Sequence, residues 1–502
     1  MLWPLRLVVL VSVLAVAGLA LGLTAARQGV QQATRPIGLH PANPHYFLFR
    51  GRPTLLISSG EHYGALINPD FDYVRYLDAQ RKLGFNTTRV FTGSYVEPED
   101  ANPMAYENTL APRPGRFLAP WARSETPGYR LGGPKFDLTR WDEEYFDRLK
   151  RLAREAGRRG IVLELTLFSW YYNEDIWRMS PLYVGNNING VGRRPYQRVY
   201  ELVEDSDLLR AQDALARKLV SELRTFDNVF FEVLNEPWGG PCDPSAAECS
   251  MRRWQDRMIS LIWDAERTFQ HRHMIAEDVG HGVNAFHGAF NLTLRRPNKR
   301  VSVYQYHYAP AAAPRNNSRL GKAIGDNETG ARGVGERTYR AEGWAFILSG
   351  GSVFNNLDWG FTPTHEAGDF GDFRRLLGVL GKRASSGGPA LQGQISFLKR
   401  FVTSFPFLRM RVDPTFVSGG LPSGTKASVL AERGRAYAVY IPRGPLSELR
   451  VNLPRGRYRT AWFDPVSGRA LQSRLVVHGG GKRRLIPPPF AEDLALSVRR
   501  TP

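Results

Sequence analysis

Cysteine is nearly absent from the chain, which has two among 502 residues: Cys242 and Cys249, in the stretch GGPCDPSAAECS. The residues around this pair include no histidine, so a metal site here lacks the further ligands that it would need. In an exported protein, two cysteines this close together predict a disulfide that closes one loop. Two free thiols are the alternative.

Acidic residues are also scarce, since 48 Asp and Glu stand against 67 Lys and Arg and leave a net charge of +19. A basic surface attracts acidic polysaccharide, anionic lipid or nucleic acid. The sequence has no zinc-finger, RNP or helix-turn-helix signature, and its arginines are spread singly and in pairs. We therefore predict no nucleic-acid partner and interpret the charge as a general abundance of arginine.

Long apolar runs are missing except near the N-terminus. Residues 7–23 are apolar apart from Ser12 and small residues, and Arg6 precedes them. A basic start, an apolar stretch and small residues predict that residues 1–26 are a signal peptide. Because the run is only just short of a membrane span, an N-terminal membrane anchor is the alternative. In both cases we expect an exported protein that is secreted, periplasmic or tethered to the outer face of the cell membrane.

No GxGxxG motif follows the first predicted strand, which argues against a dinucleotide-binding sheet. After a predicted hairpin at 45–58, apolar strands alternate with amphipathic helices, the first of them at 71–83 with Asp70 as its N-cap. This order implies a parallel sheet covered by helices, and about eight strand candidates favour a closed (β/α)8 TIM barrel. Strands are predicted at 86–91, 161–168, 229–234, 273–276, 301–307, 322–325 and 352–356, and further helices at 141–157, 208–223, 251–269 and 336–349.

The predicted secondary structure changes near the C-terminal end of the sequence. Residues 384–393 (ASSGGPALQG) are typical of a linker, and short alternating strands with Gly and Pro turns follow. We therefore predict an α/β fold with a barrel at 33–395 and a small antiparallel β-sandwich at 405–502.

Two carboxylates fall at the ends of predicted strands. The motif FEVLNEP at 231–237 places Asn235 and Glu236 at the carboxyl end of one strand, and Glu328 in KAIGDNETG ends a later one. Barrel enzymes hold their catalytic groups at these strand ends. A charged group at the mouth of a buried strand is also costly without a function or a partner. Asp326, two residues before Glu328, is a competing candidate.

These motifs, together with GFNTTR at 84–89, resemble glycoside hydrolase clan A, and the cellulase-like branch that includes family five is the most similar. The resemblance covers roughly residues 45–385. It implies a retaining β-glycoside hydrolase that cleaves a polysaccharide or oligosaccharide through a pair of carboxyl groups. Glu236 would be the acid/base at strand four and Glu328 the nucleophile at strand seven. No cofactor and no metal ion are implied.

The resemblance also assigns binding residues. Asn235 would bind the sugar 2-hydroxyl, and Arg89 would lie beneath the nucleophile and keep it ionised. Pairing of Arg89 with Glu232 or Glu164 inside the barrel is the structural alternative. His307 matches the strand-six histidine of the clan, with packing in the core as the alternative.

Three further assignments concern the pocket wall. Tyr306 or Tyr308 would be the phenol that contacts the nucleophile, although the spacing from His307 departs from the usual His-x-Tyr. Trp359 would stack on a sugar ring, with ordinary packing as the alternative. His62 lies at the end of the first strand and is a candidate to line the pocket, as is its neighbour Glu61.

Two long loops carry many aromatic residues that suit either sugar stacking or loop packing: 95–135, and 168–196 with Trp170, Tyr171 and Tyr172. The competing function is a catalytically inactive carbohydrate-binding protein of the envelope, which the presence of both glutamates disfavours. The sandwich resembles modules that are appended to such barrels, and we expect it to support the barrel structurally.

The cysteine pair yields a direct test. Thiol labelling of the native exported protein should modify neither Cys242 nor Cys249, and both should react after reduction under denaturing conditions. Their Cα atoms should lie about 4.4–6.8 Å apart. Labelling of both residues in the native protein would contradict the disulfide.

Overall fold

The computed structural model describes residues 35–98, 108–237, 249–281, 293–294, 296–330, 335–370 and 387–502. The stretch Pro36–Pro502 is one compact unit. Residues 1–34, with the predicted signal peptide or anchor, and Cys242 lie outside the described part, so both predictions stay as they are. Among the helices that the structure describes, none has both the length and the hydrophobicity that a membrane span requires.

A small antiparallel sheet closes the amino-terminal end of the barrel. It contains β1 (Gly38–His40), β2 (Asn43–Phe49) and β3 (Arg52–Thr54), with a turn at Arg50 and Gly51 in the left-handed region. The predicted hairpin at 45–58 is present, but its second arm is short because the apolar residues from Leu56 onwards belong to the barrel. Ile37, Phe47 and Phe49 pack against the first residues of the barrel strands.

The central sheet has eight strands, and every pair along it is parallel. The edge strands meet where the Asn86 N–H donates to the Ile57 carbonyl at 3.5 Å and the Ile57 N–H donates to Asn86 Oδ1 at 3.1 Å. The sheet thus closes into the predicted barrel, while β6 and β7 form a separate two-stranded ribbon. The strands of this part are β4 (Leu56–Gly60), β5 (Thr87–Phe91), β6 (Trp121–Pro127), β7 (Pro134–Trp141), β8 (Val162–Ser169), β9 (Val229–Asn235), β10 (Ile275–His281), β11 (Val303–His307), β12 (Ala323–Thr329) and β13 (Val353–Leu357).

The helices that cover the barrel follow the sequence periodicity closely. In the described ranges they are α1 (Tyr73–Leu83), α2 (Glu143–Arg158), α3 (Glu174–Trp177), α4 (Asp207–Leu223), α5 (Ser250–Ala265), α6 (Ala312–Asn316), α7 (Glu336–Ile347) and α8 (Gly388–Thr403). The predicted N-cap of α1 is wrong, since Asp72 caps it by accepting from the N–H groups of Val74 and Arg75. The carboxylate of Asp70 instead binds Arg113 and Arg116.

The predicted linker at 384–393 is also wrong where the structure describes it, because α8 begins at Gly388 and continues to Thr403. Proline is tolerated in the first turn of a helix, where its missing N–H has no intrahelical partner. The glycine-rich stretch that was predicted as a linker therefore contains the beginning of a helix. The predicted end of the barrel domain, residue 395, falls inside this helix. Leu391, Ile395, Leu398 and Val402 form its buried stripe.

The C-terminal part is the predicted antiparallel sandwich. A six-stranded sheet in the order β14-β16-β17-β22-β19-β20 and a three-stranded sheet in the order β15-β18-β21 enclose an apolar core of their own. The strands are β14 (Arg411–Val412), β15 (Val417–Gly419), β16 (Ser428–Glu432), β17 (Ala436–Ile441), β18 (Leu449–Leu453), β19 (Gly456–Phe463), β20 (Ala470–His478), β21 (Gly481–Leu485) and β22 (Leu494–Thr501).

The six-stranded sheet packs on α7 and α8. Trp344 of α7 stacks on Tyr440 of β17 with ring centroids 5.2 Å apart. Beside them, Arg340 is 1% exposed and donates to both oxygens of Asp493, at 2.9 and 3.1 Å, and to Gln394 at 2.7 Å. Tyr440 donates to the same carboxylate. A buried and fully bonded ion pair therefore lies at the junction of barrel and sandwich.

Arg340→Met should lower the free energy of unfolding by about 3–5 kcal/mol, because it leaves the Asp493 carboxylate buried without its cation. Urea denaturation measures the loss. The double variant Arg340→Met, Asp493→Leu should recover a large part of it, since no buried charge remains. The exposed pair of Arg158 with Glu155 supplies the control, and Arg158→Met should cost less than about 1 kcal/mol. If Arg340→Met and Arg158→Met lowered the free energy of unfolding equally, the buried ion pair at the junction would have no special importance for stability.

Candidate active site

The predicted site residues lie together at the carboxyl ends of the barrel strands. Asn235 ends β9 and Glu236 follows it, His307 ends β11, and Glu328 is the penultimate residue of β12. Parallel strands of a barrel all end at one face, so side chains that are remote in sequence meet there. Arg89 reaches the same place from within β5.

The backbone departs from regular strand geometry at this face. Glu236, Tyr308 and Tyr63 have φ angles of 53°, 53° and 59°, in the left-handed region that side chains rarely adopt. The register between β11 and β12 also shifts, so that Tyr306 pairs with Asp326 while His307 pairs with Glu328. This bulge lets consecutive residues bond within the barrel, since Asn327 donates to Glu232 and Glu328 accepts from Arg89. Such local strain is common at functional sites.

Glu236 and Glu328 face each other across His307. The Nδ1 atom of His307 lies 2.9 Å from Glu236 Oε1 and 3.5 Å from Glu328 Oε1. One oxygen of each carboxylate and this nitrogen all lie within 4.8 Å of one another. Carboxyl groups about 5–5.5 Å apart are typical of retaining glycosidases, whereas inverting enzymes hold them about 6.5–9.5 Å apart.

His307 is fully buried, and it also lies against Asp278 of β10, with 3.2 Å between Nε2 and Oδ2. Burial lowers the pKa of His307 to about 4 and, with the Glu232 charge, raises the pKa of Asp278 well above its usual range. Near neutral pH the imidazole of His307 is therefore neutral, and the raised pKa of Asp278 favours a protonated carboxyl group beside its Nε2 atom. This arrangement favours the tautomer that carries its proton on Nδ1, facing Glu236. Asp278 Oδ2 also accepts the backbone N–H of Glu236 at 3.1 Å.

Glu328 is held through Oε2. Arg89 donates to this oxygen at 3.2 Å and the Tyr63 hydroxyl donates to it at 3.0 Å. Burial raises the pKa of Glu328 above its usual range, the nearby Glu236 charge acts in the same direction, and His307, Arg89 and Tyr63 oppose the rise. Tyr63 is a contact that the sequence analysis missed. It follows a different strand from the tyrosines considered there, and no local motif marks it.

Arg89 satisfies both of the roles that the sequence left open. Besides Glu328, it donates to Glu232 Oε2 at 2.9 and 2.6 Å and to Asn235 Oδ1 at 2.6 Å. Its guanidinium also lies 4.7 Å from the centre of the Tyr63 ring. Glu164 takes part only indirectly, since Asn327 donates to both it and Glu232.

Glu236 has a second neighbour, Tyr172, whose hydroxyl donates to Oε2. Asn235 donates to the same hydroxyl at 3.3 Å and to Ser169 Oγ at 3.0 Å. Tyr172 is 45% exposed, whereas Trp170 and Tyr171 of the same loop are buried. Most aromatic residues of this loop therefore serve packing, and Tyr172 is the one that reaches the site.

Glu236 and Glu328 line a cavity of about 320 Å³. Trp359 and His62 form one wall, with ring centroids 4.7 Å apart. Burial lowers the pKa of His62 to about 3, so its ring is neutral. The lining residues are His62, Tyr63, Phe91, Tyr95, Glu97, Leu110, Ser169, Tyr172, Asn173, Ile176, Asn235, Glu236, Tyr308, Glu328, Leu357 and Trp359.

Three candidates from the sequence lie elsewhere. The Glu61 carboxylate accepts from the backbone N–H groups of Gly64 and Ala65 and from Thr109, so it orders the loop after β4. The hydroxyl of Tyr306 accepts from Asn317, and Tyr308 is the tyrosine of that pair that lines the cavity. Asp326 is not among the lining residues of this cavity either.

Glu236, His307 and Glu328 are also the only group in the described ranges whose side chains could together hold a metal ion. Two carboxylates and an imidazole suit a divalent transition metal. The same atoms form the facing carboxyl pair, so an ion bound there would compete with the chemistry of that pair.

Comparisons with known proteins support the fold. No protein-family profile and no curated protein sequence matches the chain. Among solved structures, a Bacteroides vulgatus ATCC 8482 protein assigned as a glycoside hydrolase is 12% identical, with a TM-score of 0.62 over 94% of this chain and 84% of that one. A glycoside hydrolase family 5 protein from the same strain is 11% identical, with a TM-score of 0.59 over 93% and 94% of the two chains. The clan A resemblance is thus confirmed at the level of the fold, a barrel with a C-terminal sandwich.

Tyr63→Phe should lower kcat/KM by about 10- to 100-fold, the value of one hydrogen bond to a charged group. The bond from Tyr63 opposes the raised pKa of Glu328, so its loss should raise that pKa further. The acidic limb of the pH profile, where the carboxylate takes up its proton, should therefore move to higher pH.

Tyr145→Phe is the matched control, because this buried tyrosine donates to a backbone carbonyl away from the cavity. Its profile should match that of the parent protein. An unchanged acidic limb in Tyr63→Phe would show that the hydroxyl has no influence on Glu328.

Proposed function

We propose that the protein is a retaining β-glycoside hydrolase that acts by double displacement on a polysaccharide or oligosaccharide. The observation that carries the proposal is the facing pair of Glu236 and Glu328, with oxygens within 4.8 Å of each other at the carboxyl face of the barrel. This separation suits direct attack by one carboxylate, whereas an inverting enzyme needs room for a water molecule between the carboxyl groups.

In the first step, Glu328 attacks the anomeric carbon while Glu236 donates its proton to the glycosidic oxygen. The bond to the leaving group breaks as the ester to Glu328 forms. Arg89 and Tyr63 occupy Oε2 of Glu328, so Oε1 is the oxygen with the weaker protein contacts and the one available to attack. The neighbouring cation keeps the nucleophile ionised although burial raises its pKa.

In the second step, Glu236 acts as a base. It removes a proton from water, whose oxygen attacks the anomeric carbon and releases Glu328. Each of the two steps inverts the configuration at the anomeric carbon, so the product keeps the configuration of the substrate. His307 and Tyr172 hold Glu236 from two sides and keep it over the same bond in both steps.

The cavity supplies the sugar contacts. Trp359 is 5% exposed and its ring offers a flat apolar surface beside His62. Asn235, held by Arg89 and Ser169, is positioned for the 2-hydroxyl. These groups suit recognition of one ring at the cleavage point.

The test separates the two glutamates. Glu328→Ala should abolish turnover of every substrate, because no glycosyl-enzyme can form. Glu236→Ala should be impaired less with dinitrophenyl β-glycosides, whose leaving group needs little protonation. Added azide should then speed turnover by replacing the water that has lost its base, and NMR should show a β-glycosyl azide.

Glu204→Ala is the control, because this side chain is 64% exposed on the surface. It should leave the rate unchanged, as should dialysis of the parent protein against EDTA. A β-glycosyl azide from Glu328→Ala, together with an azide of inverted configuration from Glu236→Ala, would exchange the two roles. Full activity of both glutamate variants would overturn the assignment of the two glutamates. Carbohydrate binding without turnover by the parent protein would overturn the enzyme proposal in favour of a catalytically inactive carbohydrate-binding protein.

A further inference from the structure

The edge strand of the sandwich exposes aliphatic side chains. Val477 is 74% exposed and Leu475 is 59% exposed, the two highest values among the large hydrophobic residues that the structure describes. Both lie on β20, the last strand of the six-stranded sheet. Isolated exposed aliphatic residues are ordinary, but two neighbours on a sheet edge create a contiguous apolar surface.

Two arginines share this surface. Leu475 pairs with Arg459 across the β19–β20 ladder, and Val477 pairs with Arg457. Directly paired residues of an antiparallel ladder have their side chains on the same face of the sheet. Leu475, Val477, Arg457 and Arg459 therefore form one surface, named here the β20 patch, and all four are exposed.

The patch continues a face that is covered elsewhere. Arg499 pairs with Arg459 in the next ladder, and its guanidinium lies 3.9 Å from the centre of the Phe405 ring just beyond α8. At the other end of β19, Phe463 contacts Phe397 and Phe401 of α8. The barrel thus covers one end of the face and leaves the β20 patch exposed.

The segment of the sequence that contains the patch is strongly basic, and its last three cations lie on β21 of the three-stranded sheet. Residues 455–484 include eight Lys or Arg residues and one acidic residue, Asp464, whose carboxylate caps its own turn. Within the described ranges, Arg484 pairs with Glu448, and the other seven cations take part in no ion pair. The basic residues of this segment are Arg455, Arg457, Arg459, Arg469, Arg474, Lys482, Arg483 and Arg484.

Protection of the sheet edge accounts for only part of this pattern. Charged side chains on an edge strand prevent pairing with other chains, which would explain the arginines. Exposed Leu475 and Val477 have the opposite effect, since they make the edge more prone to association. A partner that is both anionic and apolar accounts for both features.

We infer that the β20 patch binds the anionic surface of a membrane, with Leu475 and Val477 inserted at the boundary between headgroups and acyl chains. Lys and Arg side chains are attracted to an anionic bilayer, and aliphatic groups that insert between its headgroups add to this attraction. An acidic polysaccharide would satisfy the arginines equally well, but its polar chain would gain nothing from the aliphatic pair. The inference does not depend on the proposed catalytic activity.

Hydrogen exchange of the full chain tests the inference locally, because residues 1–26 could themselves carry the protein to a membrane. Vesicles of phosphatidylcholine with phosphatidylglycerol should slow exchange in the peptide that covers Ala470–His478. Vesicles of phosphatidylcholine alone should not, and added salt should weaken the protection.

Two double variants distinguish the contribution of the arginines from that of the aliphatic side chains. Arg457→Glu, Arg459→Glu should abolish the protection, and Leu475→Ser, Val477→Ser should reduce it without altering the charge. Arg154→Glu, Arg217→Glu is the matched control, because these arginines are exposed on α2 and α4 and the net charge changes equally. It should retain the protection. No protection with anionic vesicles, or equal loss in the control, would overturn the inference. Equal protection by soluble polygalacturonate, unaffected by Leu475→Ser, Val477→Ser, would overturn it in favour of an acidic polysaccharide.

Discussion

The guanidinium of Arg89 is the group on which the arrangement at the barrel mouth depends. It is 2% exposed and bonds Glu232 and Asn235 on β9 and Glu328 on β12. A buried cation is tolerated only when several partners replace the water that it has lost. Closure of the barrel therefore brings β5, β9 and β12 into register around one charge. Because Glu328 is one of its partners, the same bonds that compensate for burial also position the proposed nucleophile.

The barrel interior contains more carboxyl groups than this single cation can balance. Burial and the Glu232 charge raise the pKa of Glu164 to about 8 and raise that of Asp278 well above its usual range. These upward shifts in pKa favour the protonated form of both groups, which lowers the negative charge inside the barrel. The protonated form of Asp278 has a further effect, because it donates to His307 Nε2 and so directs the His307 proton towards Glu236. Charge balance deep in the barrel thus determines the hydrogen bonding of the proposed acid/base.

Two features near the sandwich could not be predicted from composition alone. Glycine and proline near Gly388 indicated a linker, yet they form the first turn of a long helix that buries an apolar stripe. The arginines of the sandwich are spread along its sequence, so the sequence alone indicates no patch. Strand pairing places Arg457 and Arg459 beside two exposed aliphatic residues, because an antiparallel ladder aligns every second residue on one face.

Much of the fold and the proposed carboxyl pair were predictable from the sequence by itself. Periodicity is local, so alternating strands and helices predicted the barrel, and the ends of those strands marked Glu236 and Glu328. Only the tertiary structure decided that Tyr63, Tyr172 and Asp278 surround the two glutamates. These residues belong to loops and strands far apart in the sequence, and no spacing signals which of them meet. Their contacts arise from barrel closure and from left-handed backbone geometry at Tyr63 and Glu236. No local sequence pattern predicts barrel closure or these backbone angles, because both result from packing of the whole barrel.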